Sequence, residues 1–323
     1  MSALERFGGC EPWGQWLSLK VWALGLVLIL WSPAAQAQLF RPLFGSDGSH
    51  VSLEGEDLYG IACHYNLSVE HLALANDILP IRIQISPGTR ILIPGRRILP
   101  VAPPRNGIVL NIPERGLFLF RNQRMVRFYP IAIGRPNSSE TPEGSFRVTS
   151  KAINPTWFPP EKVHYWKGAV RPGYENPLGK YWIGLGPSRG LGIHSTNRPI
   201  FIGSALTNGC IRLYPWMMED LFRQVRIGMT VRIEYETAKI GCDPRTGTCY
   251  LAAFPDVYGR ADPCISAQRL LKKIGLSRFA TFEAWKDLTG RSPGLARPII
   301  LKRTGISAAE LEEPVLDSEK GGR

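Results

Sequence analysis

Apolar and polar positions alternate along this chain in ways that mark out distinct segments. Residues 21–31 form an unbroken apolar run of eleven. Lys20 precedes it, and Ser32, Pro33 and the small-x-small triplet Ala35-Gln36-Ala37 follow. This layout predicts a secretory signal peptide over 1–37, cut after Ala37, and the run is too short to span a bilayer comfortably. Residues 38–48 lack any period and read as a flexible start to the mature chain. From 49 to 95 the pattern is mixed. Val51 and Leu53 alternate with polar neighbours as a strand does. Leu58, Ile61, Ala62 and Tyr65 make a helical stripe. Residues 68–76 predict a second helix capped by Ser68, with His71 where a capping glutamate would be ideal. Pro87-Gly88 turns into a second strand at 89–94. Strand, helix, helix, strand describes a small α/β module.

A proline-rich linker is expected over 96–105, with Pro100, Pro103 and Pro104. Beyond it strand signals dominate. Runs at 107–112, 116–121, 125–134 and 144–150, separated by turn signals, predict a mainly β domain of sandwich or barrel type over 106–236. It is interrupted by a long loop at 154–180, rich in proline and aromatic residues, which reads as a wall of a binding groove. Residues 216–225 predict an amphipathic helix and 231–235 a further strand. In the C-terminal region, 237–323, residues 239–242 and 249–253 flank a hairpin turn that sets Cys242 opposite Cys249. Asp262 caps and Pro263 opens a helix that stops at Gly275. A second helix is expected over 279–288, and the tail from 305 should fray.

Composition adds less. The 323 residues carry a formal net charge of +12. A basic surface suits an anionic partner such as a bacterial wall polymer. No recognised nucleic-acid motif accompanies the charge, so no nucleic acid is expected. Of six cysteines, Cys10 leaves with the signal peptide. In an oxidising compartment the remaining odd number implies one unpaired thiol. A Cys242–Cys249 disulfide fits hairpin geometry and compartment, and a lone Cys pair at that spacing argues against a metal site. Cys63 and Cys264 are left either paired with each other or buried.

The candidate chemistry sits in two short stretches, Ile193-His194-Ser195-Thr196-Asn197 and Thr207-Asn208-Gly209-Cys210-Ile211-Arg212-Leu213. A thiol nucleophile needs a base, and imidazole is the usual one. His194 closes a predicted short strand. Cys210 follows Gly209, whose missing Cβ lets a carbonyl approach the backbone, so the N–H groups of Gly209 and Cys210 are candidate oxyanion donors. No cofactor is expected.

These stretches resemble the signature of the L,D-transpeptidases, cysteine enzymes that cross-link peptidoglycan. Ser195 stands where glycine is common and Asn208 where histidine is common. The resemblance runs from about 107 to 234 and includes Thr141-Pro142-Glu143-Gly144. It implies Cys210 as nucleophile, His194 as the base that helps keep it as thiolate, and the Ser195 carbonyl as the group that orients the imidazole. Arg212, Asn208, Thr207, Asn197 and Trp157 are expected to face substrate. The 49–95 module resembles LysM, a binder of cell-wall glycan. Together these imply a periplasmic enzyme, open to carbapenem acylation. It would cleave the terminal D-Ala from a tetrapeptide stem and pass the acyl group to an amine. That amine would belong to another stem, giving a 3-3 cross-link, or to an outer-membrane protein or lipoprotein. The rival readings are an L,D-carboxypeptidase or wall amidase using water, and a non-catalytic LysM wall-binding protein. Papain-like enzymes place Cys before His, the reverse of the order here, and a decayed domain would have lost Cys210.

Overall fold

The computed structural model describes residues 41–79, 84–159, 168–186, 190–243, 245–274 and 294–299. The expected signal peptide, Cys10, the helix at 279–288 and the tail from 305 lie outside them. The body beginning at Pro42 is one compact unit.

Its N-terminal module is built as the pattern predicts. After β1 (Leu43–Phe44), β2 (Gly48–Val51) pairs antiparallel with β3 (Arg90–Ile93), and α1 (Leu58–His64) and α2 (Val69–Ala75) lie between them in sequence. Asp57 caps α1 through the Gly60 N–H, and Ser68 caps α2 through the His71 N–H. Leu58, Ile61, Ala62, Leu72 and Ile91 form its core. Two expectations need correction. The first strand ends at Val51, because Val51 and Leu53 are exposed and have no core to face. The stretches on either side of the module are tied down as well. Leu43 and Phe44 pair with β4 (Arg97–Ile98), whose residues are both buried, so the described part of the expected flexible start is built into the fold and the linker begins only after Ile98.

The main domain carries one eight-stranded sheet in the order β13-β11-β10-β9-β14-β5-β6-β7. Here β5 is Gly107–Asn111, β6 Gly116–Arg121, β7 Arg124–Pro130, β9 Gly144–Ile153, β10 Tyr181–Leu185, β11 Gly192–His194, β13 Ile211–Arg212 and β14 Thr230–Glu234. β9 joins two half-sheets. Its first residues pair with β14, and from Val148 onward it pairs with β10. Leu110, Leu117 and Leu119 from one half share a core with Ile183, Leu185, Ile193 and Ile211 from the other. That is the expected sandwich-like β architecture. β5 is buried along its whole length, which is why it reads as a continuous apolar run rather than an alternation. On β6, Leu117 and Leu119 face this core while Phe118 and Phe120 face a second cluster, as a period of two requires. The short β8 (Ile133–Gly134) pairs with β12 (Ala205–Thr207) beside the sheet. α3 (Pro215–Gln224), opened by Pro215, buries Met217, Met218 and Leu221 on the core.

The C-terminal hairpin, β15 (Ala238–Cys242) and β16 (Cys249–Ala253), holds the Cys242–Cys249 disulfide in register. Sequence patterning misses its third strand, β17 (Arg297–Ile299). α4 (Pro263–Lys273) packs Ala267 and Leu271 on the hairpin, capped by Asp262. The buried Lys239 pairs with Glu114 and fastens the hairpin to the main domain. Cys63 and Cys264 are not bonded to each other. No helix among the described residues is long and apolar enough to cross a membrane.

Candidate active site

The sheet brings the two signature stretches side by side. β11 and β13 run parallel, with Ile193 opposite Ile211 and His194 opposite Arg212. One step back along both chains, the register sets Gly192 opposite Cys210. Period-two alternation then puts Gly192, His194, Cys210 and Arg212 toward one face. The electrostatics agree, since Arg212 acts on both His194 and Cys210 and the Gly192 N–H acts on the Cys210 sulfur.

His194 is 1% exposed. Its Nδ1 lies 2.6 Å from the Ser195 carbonyl oxygen. A carbonyl can only accept, so Nδ1 carries the proton and Nε2 holds the lone pair. Burial and the nearby Arg212 charge hold the imidazole pKa down at about 3, against the pull of the Ser195 and Leu178 carbonyls. The ring is therefore neutral at any ordinary pH. Trp182, paired with His194 across β10 and β11, stacks on it with centroids 5.8 Å apart. A Cβ on Gly192 would lie 2.4 Å from that indole, so glycine is needed there for the stack to form.

Ser195 fits because of a second glycine. Its hydroxyl donates to the Leu178 carbonyl at 3.0 Å. A side chain on Gly179 would meet the same oxygen at 2.3 Å, and Gly179 has φ +62°. The departure from the common glycine at 195 is thus absorbed by a backbone hydrogen bond and a facing glycine.

Cys210 is half-buried, and its thiol donates to the Gly190 carbonyl at 2.8 Å. Burial raises its pKa, opposed by the Gly192 N–H and the Arg212 charge. Both shifts favour the uncharged forms, a thiol and a neutral imidazole, over the expected thiolate. The preceding Gly209 has φ +102°, a region open to glycine and costly for other residues.

Two expectations change in this turn. The Gly209 N–H is already donated to Thr207 Oγ1 at 3.2 Å, so it is not an available oxyanion donor. Thr207 is 1% exposed, and its hydroxyl donates to the Cys210 carbonyl. It braces the turn from inside and does not face substrate. The Cys210 N–H is the donor that remains. Asn208 is exposed, and Asn197 Nδ2 donates to the Tyr174 carbonyl at 3.2 Å. Trp157 forms an isolated bridge with Val170, which folds the long loop back on itself.

The N-terminal module presses on the same region. Arg115 is 4% exposed, pairs with Glu70 of α2, and donates to the Gly203 carbonyl. The Tyr214 hydroxyl donates to the Leu67 carbonyl at 3.1 Å. Gly203 lies in the segment between His194 and Cys210, so the module abuts the segment that delivers the cysteine. Among the described residues, no group of three or more His, Cys, Asp or Glu is arranged to hold a metal.

Known proteins resemble this chain over much of its length. Residues 105–233 match the model of the YkuD L,D-transpeptidase catalytic domain. The probable L,D-transpeptidase YcfS of Escherichia coli K12 is 32% identical over 71% of this chain and 76% of its own length. The YkuD protein of Bacillus licheniformis is 34% identical over 55% of this chain and 94% of its own. The probable L,D-transpeptidase YbiS of E. coli K12 is 32% identical over 49% of this chain and 53% of its own. With its two signature stretches on adjoining parallel strands of a mainly β domain, this chain belongs to the YkuD family of L,D-transpeptidases.

Proposed function

We propose that this protein is a peptidoglycan L,D-transpeptidase in which Cys210 is the nucleophile and His194 the base. The observation that supports the reading is the parallel pairing of β11 with β13, which runs the His194 strand beside the strand that follows Cys210. The thiol proton passes to His194 Nε2 as the sulfur attacks the carbonyl of the third stem residue. The Ser195 carbonyl holds the protonated Nδ1 and supports the imidazolium that forms. The Cys210 N–H receives the developing oxyanion, an effect worth about 3 kcal/mol per donor in such sites. Collapse of the intermediate expels D-Ala, which takes the proton from His194 and leaves a thioester. An amine then attacks, and its proton returns through the same imidazole.

Asn208, Asn197 and Trp157 are proposed to touch the stem peptide, and Arg212 to hold the strand pair and bias the site toward thiolate. The module at 49–95 is proposed to bind wall glycan, and the chain to be exported and to act in the periplasm. The acceptor is proposed to be an amine of a second stem or of an outer-membrane protein or lipoprotein.

Incubation of the protein from residue 38 with purified tetrapeptide muropeptides, followed by mass spectrometry, tests the reading. Release of D-Ala with formation of a new amide is expected. Release of D-Ala into tripeptide alone, with amine acceptors present, would replace transfer by hydrolysis.

A further inference from the structure

The region after residue 233 lies beyond the family-model match, yet it reaches back to the nucleophile. Tyr258, 8% exposed, places its hydroxyl between two backbone groups of the main domain. It accepts from the Thr141 N–H at 3.0 Å and donates to the Gly134 carbonyl at 2.9 Å. Thr141 Oγ1 in turn accepts from the Gly134 N–H at 2.9 Å and donates to the Gly209 carbonyl at 2.9 Å. Every direction in this chain is forced. An N–H can only donate and a carbonyl can only accept, so each hydroxyl spends its one proton on a carbonyl. Thr141 is fully buried, and a Cβ on Gly134 would lie 2.0 Å from the Ser139 carbonyl oxygen. No other residue fits at 134 without breaking the ring.

The end of the chain of bonds matters most. Pinning the Gly209 carbonyl pins the whole Gly209–Cys210 peptide, because the unit is planar. In a trans peptide the N–H points opposite to the carbonyl. Holding the Gly209 oxygen against Thr141 therefore fixes the Cys210 N–H pointing away from Thr141. With no Cβ, Gly209 would otherwise leave this peptide easy to rotate. The same C-terminal segment grips the turn a second time. Arg260 pairs with both Glu140 and Glu143, on either side of Thr141.

We infer that Tyr258 is a positioning residue for the reaction: through Thr141 it sets the orientation of the oxyanion-binding Cys210 amide, and the segment around Tyr258 is part of the catalytic apparatus. The inference rests on the reading of Cys210 as nucleophile and its N–H as oxyanion donor.

Two reactions of one sulfur separate positioning from general support. Alkylation by iodoacetamide needs the thiol and its base but no oxyanion donor. Acylation by a carbapenem needs all three. Tyr258→Phe keeps the ring and removes the hydroxyl. It should slow acylation about tenfold, less than the ~100-fold typical of deleting such a donor, while alkylation stays within about twofold across the pH profile. Thr141→Val should show the same split, and the double variant should be no slower in acylation than the slower single variant. Arg260→Gln, on the outside of the turn, should reproduce the split in weaker form and serves should Tyr258→Phe fail to fold. Unchanged acylation in Tyr258→Phe would overturn the inference, as would equal slowing of both reactions. Acylation persisting in Cys210→Ala would instead remove the reading beneath it.

Discussion

Lowering the pH should expose the burial of His194 as a measurable loss of stability. A histidine in an unfolded chain titrates near 6.5, whereas burial and Arg212 hold His194 at about 3 in the fold. Between those values the unfolded chain binds a proton that the native protein refuses. Stability tied to this group is therefore present above about pH 6.5 and is lost as pH falls. Integrating the linkage from pH 7 to pH 5 gives about 2 kcal/mol, a figure that hardly depends on the native value because pH 5 lies well above it. The perturbation is His194→Asn, which leaves a side-chain amide able to donate to the Ser195 carbonyl. Urea unfolding of both proteins, followed by tryptophan fluorescence at pH 7, 6 and 5, supplies the comparison. Wild type should lose about 2 kcal/mol more than the variant over that range, with most of the difference arising below pH 6. Parallel curves would mean that the imidazole takes up its proton in the folded state. The neutral-base reading of the site would then be wrong.

Gly203→Ala should loosen the N-terminal module. The added methyl would sit 2.4 Å from Ser68, and φ there is +101°. Backbone strain alone is worth about 1–3 kcal/mol, so a lower Tm and faster proteolysis between 42 and 105 are expected; an unchanged Tm would refute the tight docking. The double change Cys242→Ala and Cys249→Ala, which opens a loop with a sequence separation of 7, should cost about 2.5 kcal/mol by loop entropy, read by urea unfolding, with acylation of Cys210 retained. Loss of acylation there would show that the hairpin shapes the site directly. Deleting 49–95 should weaken retention on purified sacculi, and equal retention would leave the module a purely structural role.

Much of the fold can be read from apolar spacing because its strands are unusually one-sided or unusually buried. β5 and β6 are buried along nearly their whole length, and the helical stripes of α1 and α2 coincide with the module core. The Cys242–Cys249 pairing follows from a short hairpin turn. The misses share a cause. β1, β4 and β17 are two or three residues long, too short to show a period, and exist only because a distant partner supplies their hydrogen bonds. Within the site, the motif gives His194 and Cys210 but not what surrounds them. Thr207 reads equally well as a substrate contact or a brace until its hydroxyl is seen on the Cys210 carbonyl. Trp182 carries a weak signal, lying one strand before the Gly192-Ile193-His194 triplet whose glycine makes room for it. Tyr258 carries none, because a lone tyrosine after a hairpin has no period and its partners are separated from it by more than 100 residues.

The central claim is that one thiol, served by one imidazole, forms the acyl-enzyme. Intact-mass analysis of the protein quenched during reaction with a tetrapeptide muropeptide tests this most directly. The account predicts a covalent adduct that maps to the peptide containing Cys210. It should vanish in Cys210→Ala and form at least 100-fold more slowly in His194→Asn, about the span of a positioned general base. An adduct on any other residue, or one formed at the wild-type rate without His194, would contradict it.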